Sequence, residues 1–162
     1  MSRLSLRTAP AVIAAVFGLF LHLPGRATGS VEISFADAPH YSDAGRGALE
    51  RERTLNALAD HFSRWAERLP DGQSLKLTVL DIDLAGELEH VPRWHEVRVL
   101  RGRADWPKIT LRFSLQQQGR TVSEGLARLS DMAYELGRRN PDEFGHEKRM
   151  LDRWFATTIL SP

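Results

Sequence analysis

Four carboxylates are the side chains of this chain best placed to do chemistry. Asp81 and Asp83 lie two positions apart in a predicted strand, so both leave the same face of the sheet. Glu87 follows that strand closely, and Asp131 comes just after a later strand. Brought together, they could hold a hard cation or share a proton, as in a small carboxylate- or metal-dependent hydrolase. The alternative is structural: aspartates at a bulge or an exposed strand end accept backbone hydrogen bonds.

Other catalytic patterns are missing from the sequence. His146 and Glu147 resemble the start of a zinc protease motif, but Met150 stands where the second histidine belongs. The 162 residues contain no cysteine, which excludes disulfides, thiolate zinc ligands and cysteine nucleophiles. There is no G-x-S-x-G elbow and no glycine-rich phosphate loop. We therefore predict no catalytic residue outside the four carboxylates, no metal site with a recognised ligand pattern and no cofactor. The remaining histidines are interpreted as surface or boundary residues.

Two tryptophans stand apart from the apolar stripes of the predicted helices. Trp94 and Trp106 lie in or beside loops, where an indole can stack on a sugar or anchor a partner. Alternatively they cover the edge of the sheet as part of the core rim. Trp65 and Trp154 lie on apolar helix faces and are predicted to be core residues.

The elements that position these residues follow from apolar periodicity. Alternation predicts strands over 31–35, 75–84, 96–101, 109–116 and 121–130, with loops over 85–93 and 131–144. Helical spacing predicts a long helix over 48–69 and a short one near the C-terminus that contains 150–155. The alternation slips in phase after Val79, which predicts a bulge near Leu80 or Asp81.

This element order predicts an α+β fold. We expect a two-layer sandwich whose mostly antiparallel sheet has four to five strands, with the long helix and the C-terminal helix packed on one face. Because the first strand reaches the second across a helix, that pair can be parallel with a right-handed crossover.

The first 29 residues have the features of a secretory signal peptide. Arg3 and Arg7 precede an apolar stretch over 9–23, and small residues at Ala27 and Gly29 predict cleavage before Ser30. The alternative is an uncleaved anchor, but the apolar stretch is shorter than the roughly 20 residues that a spanning helix needs. We therefore predict two segments, a cleaved signal peptide over 1–29 and one domain over 30–162, with no membrane span in the mature chain.

The charge of the mature chain excludes some classes of partner. The leader carries three arginines and no acid, so the mature part has 19 basic and 21 acidic residues, a net charge of −2. A near-neutral, mixed-sign surface has no general attraction for nucleic acid or anionic lipid. Nucleic acid is therefore not an expected partner. Nothing in the sequence indicates the oligomeric state.

Four separate phrases of the sequence resemble a known family. They are LTVLDIDLAGE (77–87), DWPKITLRF (105–113), LSDMAY (129–134) and HEKRMLDRWF (146–155). In this order they are similar to the domain-of-unknown-function family 3016, a group of exported proteins of Gram-negative proteobacteria. The resemblance implies a periplasmic protein with a signal peptide. It implies no activity, ligand or catalytic residue.

Two functions follow from these observations. The favoured one is a non-catalytic periplasmic module that binds a partner protein, an envelope component or a small ligand. The alternative is the small hydrolase that would use Asp81, Asp83, Glu87 and Asp131.

Overall fold

The strands and helices occur in an order close to the predicted one. A computed structural model of the chain describes residues 28–91, 95–102, 104–134 and 142–161. Within these residues the elements are β1 (Ser30–Phe35), α1 (Gly47–Ser63), β2 (Gln73–Asp83), β3 (Glu87–Val91), β4 (His95–Val99), β5 (Lys108–Gln117), β6 (Arg120–Ser130) and α2 (Gly145–Trp154). A 3-10 turn over Arg64–Arg68 extends α1, and a π-helical turn over Phe155–Ile159 extends α2.

The main sheet contains four strands in the order β1-β2-β5-β6. β1 runs parallel to β2, whereas β2 with β5 and β5 with β6 pair antiparallel. Parallel neighbours require a crossover connection, which α1 and its 3-10 extension provide. The predicted α+β sandwich with a mostly antiparallel sheet is confirmed.

One face of the sheet carries the core. Alternate residues of β2 and β5 turn inward, and both helices cover them. Trp65 stacks on Phe155 with ring centroids 4.3 Å apart and lies 6.1 Å from Trp154, so the two helices meet through aromatic rings. Trp65 and Trp154 are both buried, as predicted. The opposite face presents polar side chains of β2, β5 and β6 to solvent.

The predicted bulge in β2 is also confirmed. Val79 pairs with Leu111, but the next pair joins Asp81 to Thr110, so Leu80 is left without a partner. The buried residues of β2 change from odd to even positions at this point, and Ile82 becomes fully buried. The bulge therefore places Asp81 and Asp83 on the side away from the core.

The loop predicted over 85–93 is wrong. Glu87–Val91 forms β3, which pairs with β4 as a two-stranded sheet separate from the main one. The hairpin is joined to the rest of the fold through Arg98 of β4, a contact that local apolar alternation does not indicate. The strand predicted over 96–101 therefore exists as β4, but it lies outside the main sheet.

Some predictions fall on residues outside the described ranges. These include most of the leader, the Asn140–Pro141 start predicted for the C-terminal helix, and Trp94. The described helix α2 begins at Gly145, after Phe144 in the left-handed conformation at φ 61°. Across 28–91, 95–102, 104–134 and 142–161, no helix has the length and apolar character needed to cross a membrane.

Candidate functional site

Three neighbouring cavities form a groove beside the C-terminal end of β2. The largest, about 440 Å³, lies between the 38–46 loop and the start of β3. Two others, of about 220 and 350 Å³, lie toward the beginnings of α1 and α2 and share Leu84, Arg98 and Phe144. We call this region the end groove; its walls come from residues 38–46, 50–54, 83–88, Arg98 and 142–147. Concave sites of this volume are typical of ligand binding.

Asp43 connects the loop wall of the end groove to β2. Its backbone N–H donates to the carbonyl of Ile82 at 2.8 Å, and its carbonyl accepts from the N–H of Leu84 at 3.1 Å. The loop thereby continues the parallel pairing of β1 as an isolated bridge between Asp43 and Asp83. Its carboxylate accepts from the N–H of Gly45 at 3.0 Å, which fixes the turn into α1.

Arg98 joins the β3–β4 hairpin to this loop. Its guanidinium donates to both carboxylate oxygens of Asp43, at 2.9 and 3.2 Å. It also donates to the carbonyls of Ala85 and Gly86, at 3.3 and 3.0 Å. A planar guanidinium has several donors in a fixed geometry and can bond to a carboxylate and to carbonyls at once. Arg98 therefore holds the loop, the hairpin and the end of β2 in one arrangement.

Gly86 permits the hairpin to approach this closely. Its φ is +81°, and a Cβ atom there would lie 2.7 Å from the carbonyl oxygen of Val99. Its N–H donates to the carbonyl of Asp105 at 2.8 Å. Only glycine combines this backbone conformation with this contact.

The first turns of both helices form the remaining walls. The N–H of Arg46, at the N-cap of α1, donates to the carboxylate of Glu50 at 2.8 Å. Glu147, in the first turn of α2, is buried and accepts from the N–H of Ala85 at 2.8 Å. Arg53 and Glu143 form an exposed ion pair at 3.4 Å between the two walls.

Arg51 is a basic side chain in the end groove that has no ion pair among the described residues, although the carboxylate of Glu87 lines the same cavity. It is partly buried in the second turn of α1 and lines the largest cavity. Within the described parts of the chain, no carboxylate or carbonyl forms an ion pair or hydrogen bond with it. A partly desolvated guanidinium in a cavity favours an anionic group of a ligand.

The predicted carboxylates divide between different environments. Asp83 and Glu87 line the largest cavity of the end groove. Asp83 accepts from the ammonium of Lys108 at 2.7 Å, and Asp81 accepts from the N–H and hydroxyl of Ser42 at 2.7 and 2.8 Å.

Asp131 does not line the groove. It is buried and pairs with Arg153 at 2.7 Å. Among the residues that the structure describes, no three His, Asp or Glu side chains form a group that could hold a metal ion.

Tyr41 also lines the largest cavity. Burial, reinforced by the charge of Asp81, raises the pKa of Tyr41 to about 12. Its hydroxyl donates to the carbonyl of Val79 at 2.8 Å. The phenol therefore stays protonated at neutral pH and acts as a structural donor.

Of the two predicted binding aromatics, Trp106 is described by the structure, and it does not line the end groove. Trp106 is half-buried between β4 and β5, with the ammonium of Lys108 5.8 Å from its ring centroid. This contact fits a cation–π pair that covers the start of β5. Trp94 lies outside the described residues.

The assignment of His61 to the surface or boundary is wrong. His61 is buried, and its Nδ1 accepts from the guanidinium of Arg64 at 3.1 Å. Its Nε2 lies 3.1 Å from Asp152 Oδ1, at a poor angle for a hydrogen bond. Burial lowers the pKa of His61 most strongly; Arg64 and Lys148 lower it further, against the opposing charge of Asp152.

Asp152 completes this cluster at the meeting of the helices. Its carboxylate also accepts from the indole N–H of Trp65 at 2.8 Å. The sequence offered one indication, since His61 lies four residues before Trp65 and hence on the same helix face. The cluster lies at the border of the core, with His61 and Trp65 buried and Asp152 partly exposed, away from the end groove.

No curated protein and no solved structure matches this chain. One protein family does match, and its match extends from the residue before β1 to the turn that follows α2, so it includes every wall of the end groove. The family is described as a protein of unknown function. Because this match covers residues 29–157, the chain belongs to the DUF3016 family.

Proposed function

We propose that this protein is exported to the periplasm and acts there as a non-catalytic module that binds a ligand or partner in the end groove. The ligand presents an anionic group to Arg51. The observation that carries this proposal is the position of Arg51, a partly buried guanidinium without a neutralising partner among the described residues, in a cavity of about 440 Å³. The leader with its basic start, apolar stretch and small residues supports export.

The contacts of the other charged groups support a fixed binding surface. Asp43 is neutralised by Arg98, and Asp83 by Lys108. Asp81 accepts two hydrogen bonds from Ser42. These carboxylates hold the walls in place, and the groove therefore needs little rearrangement to receive a ligand. Pre-organisation of this kind increases affinity because less ordering remains to be done on binding.

The test is to identify what the protein retains when it is purified from the periplasm. Wild-type protein, Arg51→Glu and Arg120→Glu are purified identically, and bound species are identified by native mass spectrometry. Arg120 is the matched control, since it is exposed at the opposite end of the sheet, where β6 begins. We expect a bound anionic species in wild type and Arg120→Glu, and its loss in Arg51→Glu. Equal retention in all three proteins, or no retained species in any, would overturn the binding proposal.

Export is tested separately. The mass of the protein recovered from the periplasm is expected to correspond to residues 30–162. A full-length chain recovered only from the cytoplasm would contradict export without bearing on the groove.

A hydrolase remains the second candidate, because Asp83 and Glu87 line the same cavity. In that case Asp83→Asn and Glu87→Gln should each abolish hydrolysis of the bound species, while the anion that co-purifies with the protein is still retained. Divalent cations should also raise the melting temperature of wild type and not of either variant. Absence of both effects removes this candidate.

A further inference from the structure

The outer edge of β6 is a long strand edge without a described neighbour. β6 contains 11 residues and pairs with β5 on one side only. Among the described residues, no strand pairs with its other side. Proteins usually protect such edges with proline, short strands, charged side chains or bulges, because exposed backbone groups recruit another strand. The one bulge of β6 along its pairing with β5 lies at Val122, before the regularly paired residues 123–130. β6 contains no proline, and its Val122 and Leu126 are 57% and 45% exposed.

The side chains of β6 on the open face form a self-complementary series. Glu124, Leu126 and Arg128 follow one another at alternate positions, so all three leave the same face. Across β5 they lie opposite Ser114, Arg112 and Thr110. Neither Glu124 nor Arg128 forms an ion pair or hydrogen bond within the part of the chain that the structure describes. Both charges are therefore available to a partner.

Two copies of β6 can pair antiparallel about a two-fold axis perpendicular to the sheet. With the axis at Leu126, Glu124 of each copy lies opposite Arg128 of the other, and the two Leu126 side chains meet. With the axis at Glu124 or at Arg128, two like charges meet at the centre, which is unfavourable for directly opposite residues. With the axis at Gly125 or Ala127, neither charge finds its opposite.

We propose that β6 is a homodimerisation edge and that its partner is β6 of a second copy of this chain, in the register centred on Leu126. The two four-stranded sheets then form one continuous sheet of eight strands, with the order β1-β2-β5-β6 repeated in reverse. The contact satisfies the exposed backbone groups of β6 and covers Leu126. Edge pairing alone buries a small area, so the dimer is weak and depends on concentration.

The test uses sedimentation velocity of the purified chain over a wide concentration range. Wild type is expected to change reversibly from monomer to dimer. Glu124→Arg and Arg128→Glu each place like charges opposite one another twice, and each is expected to weaken dimerisation by about tenfold or more. The double variant Glu124→Arg/Arg128→Glu restores the opposition of charges and should dimerise like wild type. An equimolar mixture of the two single variants should form a heterodimer.

Glu32→Arg is the matched control. It makes the same change of charge on the same open face, at the opposite edge strand β1, where it also removes the exposed ion pair of Glu32 with Lys76. It is expected to leave dimerisation unchanged. Circular dichroism should be identical for all variants because every substituted side chain is exposed.

Monomer at every concentration of wild type would overturn the proposal. So would a dimer that both single variants retain, or one that the double variant and the mixture fail to restore. An equal loss of dimer in Glu32→Arg would show a general charge effect and would also overturn it.

Discussion

Replacing Arg98 with Met tests whether one guanidinium holds the end groove together. The substitution keeps most of the aliphatic stem but removes the donors to Asp43, Ala85 and Gly86. A hydrogen bond to a charged group contributes about 1.5–3 kcal/mol when it is buried. The side chains of Arg98 and Asp43 are 25% and 26% exposed, so water can replace part of what is lost. We therefore expect the free energy of unfolding to fall by about 2 kcal/mol.

The assay is urea denaturation of wild type and variant. If the m-value is the same in both proteins, a lower midpoint reports a loss of stability. Arg101→Met is the matched control. Arg101 lies close by, just after the same hairpin, and its exposed side chain pairs with Glu89. We expect Arg101→Met to cost less than about 0.5 kcal/mol.

A double-mutant cycle isolates the ion pair. Asp43→Asn, Arg98→Met and the double variant should give a coupling energy of about 1–2 kcal/mol, because the two groups share two hydrogen bonds. Equal losses in Arg98→Met and Arg101→Met, or a coupling energy near zero, would refute the view that this pair fixes the groove.

Two further predictions concern other parts of the frame. Since the pKa of His61 is lowered below 6.5 in the folded protein, the unfolded chain binds that proton more readily. The free energy of unfolding is therefore highest above about pH 6.5, where His61 is neutral, and decreases as the pH falls below that value. In urea denaturation between about pH 7.5 and 5.5, His61→Gln should reduce this dependence on pH. Gly86→Ala and Gly119→Ala both place a side chain at positive φ, at +81° and +78°, but only the former brings Cβ to 2.7 Å from a backbone oxygen. We expect losses of about 3 and about 1 kcal/mol respectively, and equal losses by thermal unfolding would count against steric crowding at Gly86.

The parts of the fold that the sequence predicted depend on local periodicity. In β5, apolar residues at Ile109, Leu111, Phe113 and Leu115 alternate with polar ones, and these four residues are the buried ones. The apolar stripe of α1 and its 3-10 extension was equally clear in the sequence, with Leu58, Phe62 and Trp65 buried. Such patterns reflect which side of an element meets the core, and they need no knowledge of its partner.

The parts that it did not predict depend on partners distant in the chain. Asp43 and Arg98 are 55 residues apart, and Trp65 and Asp152 are 87 apart. No local pattern distinguishes these polar residues from others on the surface. The contact of His61 with Asp152 was missed for the same reason, because Asp152 belongs to α2. In the end groove, such long-range contacts join Asp43 to Arg98 and Ala85 to Glu147.

The bulge in β2 shows how one local irregularity placed the carboxylates. Without it, regular alternation after Val79 would turn Asp81 and Asp83 toward the core and Ile82 outward. Burying an unpaired carboxylate costs several kcal/mol, so the sequence cannot adopt that regular strand. Because Leu80 has no partner in β5, the strand changes phase at this residue. Asp81 therefore points away from the core and accepts a hydrogen bond from Ser42.

We expect β2 to tolerate the deletion of Leu80. Removal of the bulged residue leaves Val79 inward, Asp81 outward and Ile82 inward, so both halves of the strand keep their faces. Deletion of Arg112 from β5 is the matched control, because it lies in a run of regular pairs and its removal turns half of that strand's core residues outward. We expect cooperative thermal unfolding to survive the first deletion and to disappear with the second. Loss of folding in both proteins would mean that the irregular geometry at Leu80, and not only the phase of its neighbours, is required by the fold.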